Sequence, residues 1–178
     1  MVDYKSLVMT WYTRAVSEDY FSKFVFLYLA FVALLRKEFF VDVKTDKEAI
    51  SRLKDSVKIR DKYFHHAQTN DIEFYPKLAS LTKILSNEPL INETKNCSVV
   101  ITDNADWENI VEFFYTVRNN LFHGNKNPED LRDGDMVRRA YYLLRPLVEV
   151  MLSFYPSTLV IDGPDLKKIG DIDDSRGE

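Results

Sequence analysis

Between Phe24 and Leu35 the chain reads FVFLYLAFVALL, with Lys23 just before it and Arg36-Lys37-Glu38 just after. At about a dozen residues, this run is short of the roughly 20 that a helix needs to cross a bilayer. Read as a helix it is apolar on nearly every side, and such a helix is expected to be buried on nearly every side. The chain must therefore wrap its other elements around one central core helix.

The rest of the chain supplies that wrapping. A first helix is expected from about Tyr4 to Val16, and Ser17-Glu18-Asp19 restarts the chain into the central helix, Tyr20 to Phe39. Thr45-Asp46-Lys47-Glu48 has the capping-box pattern, Thr first and Glu three on, and opens another helix. Ile50, Leu53, Val57 and Phe64 give it a core face that ends near His65-His66. Phe74, Leu78, Leu81 and Leu85 recur at helical spacing, with Pro76 tolerated in the first turn. Ser86 to Asn104 has the turn-rich composition of a long loop, with Ser98-Val99-Val100-Ile101 as an isolated extended piece. Asp103 or Asn104 is placed to cap the next helix. A last helix is expected from Pro128 to Phe154, with Val137, Ala140, Leu144, Leu147 and Met151 on one face and Pro146 kinking or dividing it. No internal repeat is visible, and the fold class is all-α.

The bulk numbers agree with a folded helical protein. The chain has 178 residues, of which 46% are apolar and 13% aromatic, with 5 Gly and 6 Pro. That suffices for one domain with a proper core and is short for two. We therefore expect one domain over residues 1–161 and an acidic, flexible tail over 162–178. Cys97 stands alone, so neither a disulfide nor a cysteine-based zinc site forms within one chain. The opening Met1-Val2-Asp3-Tyr4-Lys5 lacks the basic-then-apolar layout of a signal peptide. The glycosylation-like triplets at Asn92 and Asn96 then read as coincidence, and the cytoplasm is the expected compartment. Most of the net charge of −4 sits in the tail, so the body does not resemble a general nucleic-acid binder. One basic run, Arg52, Lys54, Lys58, Arg60 and Lys62, is either a solvated helix face or a track for RNA.

The informative polar residue is Arg118. Trp107, Ile110, Val111, Phe114 and Leu121 define an apolar helical stripe. At about 100° per residue, Arg118 falls within roughly 20° of Trp107, near the stripe's centre. A cation there is costly unless paired, so Arg118 is either a buried structural ion pair or part of a site. His123-Gly124-Asn125 then reads as a helix stop.

The run Arg118-Asn119-Asn120-Leu121-Phe122-His123 resembles the Arg-polar-x-x-x-His signature of the HEPN superfamily, small helical domains many of which are metal-independent ribonucleases. The greasy segment from Phe21 to Phe31 resembles that family too, as does His123 to Asp133 leading into a long final helix. The likeness in type spans about residues 1 to 155. It implies a compact HEPN-like bundle with a long loop before the motif helix, and a homodimer whose motifs meet in a cleft at the subunit interface, with the Trp107 stripe lining the packed interface and Arg118 facing a phosphate-sized notch. It also implies an RNA substrate, a role in growth arrest or defence, and restraint by a partner protein. The candidate catalytic residues are Arg118, His123 and Asn119. A guanidinium suits phosphate oxygens and a transition state gathering negative charge. A histidine near its normal pKa can take a proton from a ribose 2′-OH or give one to a leaving oxygen. Asn119, four residues before His123, shares its helical side and can orient the ring or a phosphate. Arg118 and His123 are about 140° apart on an ideal helix. They converge if the helix loosens at His123-Gly124 or if the partner subunit supplies one of them.

Competing readings remain. His123 can be a C-capping histidine without catalytic content. The fold can serve as a non-catalytic dimerisation or nucleotide- and RNA-binding module, or as an interaction scaffold with no nucleic-acid role. Adjacent His65 and His66 point about 100° apart on a helix and lack companion spacing, so no metal is expected. Glu18 and Asp19 are placed to approach a neighbour's arginine. There is no Gly-rich phosphate loop and no Ser or Cys nucleophile motif, so no cofactor is implied. Tyr141-Tyr142 and Phe113-Phe114-Tyr115 read as core and interface rather than as base-stacking platforms.

Overall fold

The structure is a computed structural model and describes residues 4–15, 19–92, 94–122 and 131–154. His123, Glu18, the expected helix start at Pro128 and the acidic tail of 162–178 lie outside the described residues.

Among the described residues the fold is all-α apart from one small hairpin. The central helix, α2 (Tyr20–Leu34), begins where the Asp19 carboxylate accepts from the backbone N–H groups of Phe21 and Ser22, satisfying donors that no preceding turn can pair. That capping is the local role of Asp19. The helix packs along α7 (Leu131–Ser153) and against α1 (Tyr4–Arg14). Phe24, Leu27, Tyr28, Ala30, Phe31 and Leu34 are buried. Burial on every side is not achieved, because Leu29, Val32 and Ala33 line an open cleft between α2 and α1. Beyond Leu34 the coil widens into a π-helical turn, Leu35–Phe39, a distortion that often accompanies functional sites.

The capping box forms as its sequence pattern predicts: Thr45 accepts from the Glu48 N–H, and Glu48 reaches back to the Thr45 backbone. It opens α3 (Asp46–Lys54). The single helix expected from there to His66 is in fact two, α3 and α4 (Val57–Asn70). The Leu53 carbonyl takes both the Ser56 N–H at 3.0 Å and the Trp107 indole N–H at 3.1 Å, which closes the first helix. Val57 is consequently exposed rather than in the core. In α5 (Phe74–Asn87) all four of the spaced apolar residues are buried.

The expected long loop before the motif helix contains a β-hairpin. Strands β1 (Leu90–Asn92) and β2 (Cys97–Val99) pair antiparallel, with Leu90 opposite Val99. Asn96 sits at φ 49°, a left-handed conformation that asparagine tolerates better than most residues. Two side chains of α6 (Trp107–Phe122) anchor the hairpin. Asn120 donates to the Ile91 carbonyl at 2.7 Å, and Thr116 accepts from Asn92 at 3.2 Å. The isolated extended piece is thus half of a hairpin whose partner, Leu90-Ile91-Asn92, is too short and too mixed to carry an alternating pattern.

Capping of α6 falls to Asp106, not to Asp103 or Asn104. Its carboxylate accepts from the Asn109 N–H at 3.4 Å and the Thr102 N–H at 2.8 Å. In α7, Pro146 does not divide the helix, which runs on to Ser153. Three residues before the proline, the Leu143 carbonyl accepts from the buried Tyr63 hydroxyl at 2.9 Å. Among the described residues, no helix is long and apolar enough to cross a membrane.

A candidate cleft around Arg118

The stripe on α6 is core within one chain. Trp107, Ile110, Val111 and Phe114 are buried, and the Trp107 ring packs on Tyr63 with centroids 5.4 Å apart. The stripe therefore does not line a surface between subunits. Arg118 departs from it because a long side chain can leave its stem in the core and carry its charge outward. Its guanidinium reaches a cleft of about 420 Å³ between α1, α2, the π-helical turn, the start of α3 and the end of α6.

Four groups among the described residues surround that guanidinium, one of them the Tyr28 ring, whose centre is 6.0 Å away. Arg118 Nη1 donates to Asn119 Oδ1 at 3.0 Å, Nη2 lies 3.9 Å from Asp46 Oδ2, and the charge stands 4.8 Å from the centre of the Phe122 ring. Phe122 is one turn on along the same helix, so this cation–π contact is the usual i,i+4 pairing. Asp46 also accepts from Arg36 Nη1 at 3.1 Å, and Arg36 Nη2 donates to the Lys44 carbonyl at 2.8 Å. The π-helical turn brings Arg36 and Lys37 to the same cleft, which among the described residues leaves three cations around one carboxylate.

The buried side of the cleft carries a further polar group. Tyr28 lines it and is 3% exposed. Burial pushes its hydroxyl far above the ordinary tyrosine range, with Arg118 acting in the opposite sense and Asp46 adding to the rise. The hydroxyl therefore stays protonated at any physiological pH. Among the described residues, neither Tyr28 Oη nor Arg36 Nε has a hydrogen-bond partner, although both atoms are buried.

Of the candidates drawn from the sequence, the structure joins Arg118 and Asn119. Asn119 is buried and spends its carbonyl oxygen on the arginine, which makes it a residue that orients Arg118. Sequence reasoning missed Tyr28, Arg36, Asp46 and Trp11. A tyrosine amid the greasiest helix and two cations at its end were the available signals, and Asp46 lay inside a capping box already recognised.

The competing sites resolve into local structure. The basic run is divided between α3 and α4, and most of its charge is engaged: Arg52 pairs with Asp42, Lys54 with Glu112 and Arg60 with Asp61, while Lys62 stands 4.1 Å from the centre of the Phe154 ring. His66 Nε2 lies 3.0 Å from Glu149 Oε2, and Asn70 meets its Nδ1. Among the described residues no group of three or more His, Cys, Asp or Glu side chains is placed to hold a metal ion. Phe113, Phe114 and Tyr141 are buried in the core.

Compared with protein-family models, with curated proteins and with solved structures, the chain matches none of them.

Proposed function

We propose that the chain is a metal-independent RNA endonuclease of the HEPN type, acting as a homodimer in the cytoplasm, with a role in growth arrest or defence and a partner protein that restrains it. The observation that carries this reading is the position of Arg118. It is a guanidinium held by Asn119 in a cleft with surplus positive charge, five residues ahead of His123 in the motif. In this scheme the ribose 2′-oxygen attacks the adjacent phosphorus, and His123 takes the 2′-OH proton. The 5′-oxygen leaves with a proton from the partner subunit's histidine or from water, and a 2′,3′-cyclic phosphate remains. Arg118 stabilises the charge that builds on the phosphoryl oxygens. Since the Trp107 stripe is occupied within the chain, the proposed dimer meets through another surface.

The test is cleavage of a mixed labelled RNA pool in excess EDTA by wild type, His123→Ala and Arg118→Ala. The reading requires cutting by wild type alone, with 2′,3′-cyclic phosphate ends. Equal cutting by all three would end it.

A second reading, a non-catalytic HEPN-like dimerisation or RNA-binding module, is favoured by the approach of Arg118 to Asp46. On that account the arginine ties α6 to α3. The same assay decides, since such a module binds RNA without cutting it.

A further inference from the structure

We infer that the Arg118 cleft holds one whole nucleotide unit, its phosphate on Arg118 and Arg36 and its base against the apolar wall of Leu7, Trp11 and Val32. This rests on the RNA reading for its choice of ligand and deepens it, because it assigns the site a base pocket as well as a phosphate clamp.

Several independent features converge on this ligand. Among the described lining residues Arg36, Lys37 and Arg118 outnumber Asp46, so an anion balances them. Among the described residues, Tyr28 Oη and Arg36 Nε are buried donors without partners. Native structures rarely leave such groups unpaired, and an acceptor on a ligand whose binding shifts the side chains that cover them accounts for both. The rest of the lining is apolar, with Leu7 and Trp11 from α1 facing Leu29, Val32 and Ala33 from α2. Aromatic side chains stack nucleobases without regard to base identity, and among the described lining residues Trp11 is the ring available, because the Arg118 charge already lies over Tyr28 and Phe122. The volume of about 420 Å³ is toward the lower end of the roughly 300–1,000 Å³ typical of small-molecule sites. That suits one nucleotide unit better than a length of strand. Bare phosphate would leave the apolar wall without a function, and a purely apolar ligand would leave the cations and orphan donors unmatched.

The test uses adenosine, cytidine, guanosine and uridine 3′-monophosphates, which resemble the product side of the proposed cleavage, with inorganic phosphate and adenosine as controls. Calorimetric titration of the full chain is expected to show one site per chain, with at least one nucleotide binding about tenfold or more tighter than either control. Binding should quench tryptophan emission, and Trp11→Phe should abolish the quench, since the other tryptophan, Trp107, is buried beside Tyr63. Tyr28→Phe removes an orphan hydroxyl, so its melting temperature should hold or rise while nucleotide affinity falls about tenfold. Nucleotides that bind no tighter than inorganic phosphate, or equally well to wild type and to the folded Arg118→Ala and Tyr28→Phe proteins, overturn the inference. Cleavage of RNA with no nucleotide site would remove the base pocket and keep the nuclease. Nucleotide binding without cleavage would do the reverse.

Discussion

Arg118 Nη2 stops 3.9 Å from Asp46 Oδ2, while Arg36 holds the other oxygen of that carboxylate at 3.1 Å. Asp46 is thus held more closely by Arg36, and Arg118 is the looser of its two cations. The two side chains are each 28% exposed, so the pair is partly screened and worth about 0–1 kcal/mol. Asp46→Asn should therefore cost about 1 kcal/mol or less in urea unfolding, part of it from the lost charge at the start of α3, and should tighten RNA binding. Arg118→Ala should slow RNA cleavage about 100-fold or more with little change in stability. If Arg118→Ala instead costs about 3–5 kcal/mol, as breaking a buried pair does, the arginine is structural.

The adjacent asparagines should separate cleanly. Asn120 donates to the Ile91 carbonyl at 2.7 Å, inside the core. Asn120→Ala should cost about 1–3 kcal/mol and release the amides of β1 and β2 to hydrogen exchange. Asn119→Ala loses the acceptor that aims Arg118 and should lower cleavage about tenfold or more through misplacement. Its nucleotide or RNA affinity should fall less than its turnover. Equal effects of the two substitutions on stability and on turnover would contradict this division of labour.

The helices were legible wherever one apolar face decided them. Phe74, Leu78, Leu81 and Leu85 announce α5, and Thr45 with Glu48 announces α3, because period and cap chemistry are local. Non-local contacts hid the rest. The break after Lys54 depends on the Trp107 indole arriving at the Leu53 carbonyl, and the hairpin depends on Asn120 and Thr116 of α6. The same holds for the cleft. Arg118 was conspicuous as a charge on an apolar stripe, but its neighbours Tyr28, Arg36 and Asp46 converge only when four separate segments meet. The apolar run of α2 promised burial all round, and part of it instead became the cleft's wall.

Gly134 lies within the first turns of α7, and a Cβ added there meets nothing within 4 Å. Glycine in a helix interior is less favourable than alanine by roughly 0.5–1 kcal/mol, through the greater freedom it loses on folding. Gly134→Ala should stabilise by that amount, raising the melting temperature by about 1–4 °C for a chain of this size. RNA cleavage should be unchanged, as the residue is outside the cleft lining. A lower melting temperature would mean that the start of α7 needs glycine for a reason other than space.

Glu112 sets an acid limit on the fold. Its two oxygens accept from Lys54 at 2.7 Å and Lys95 at 2.9 Å, joining α3, the hairpin turn and α6. Partial burial works to raise its pKa, but the hydrogen bonds and charges of the two lysines outweigh it and hold the carboxyl below its ordinary 4.5. A carboxylate with a depressed native pKa binds fewer protons folded than unfolded, so its stabilisation is complete above about 4.5 and is lost as pH falls through the lower native value. Asp135, held down by Arg138 and Arg139 against the opposing effect of burial, adds a contribution of the same sign below its ordinary 3.8. Urea midpoints should therefore be nearly flat from about pH 7 to 5 and decline steadily below about 4.5. Glu112→Gln should lower the neutral plateau by about 1 kcal/mol, given the screening of pairs whose lysines stay partly exposed, and should make the acid decline shallower. A Glu112→Gln curve parallel to wild type throughout would show that the two lysines contribute nothing to the native state, and that acid sensitivity arises elsewhere in the chain.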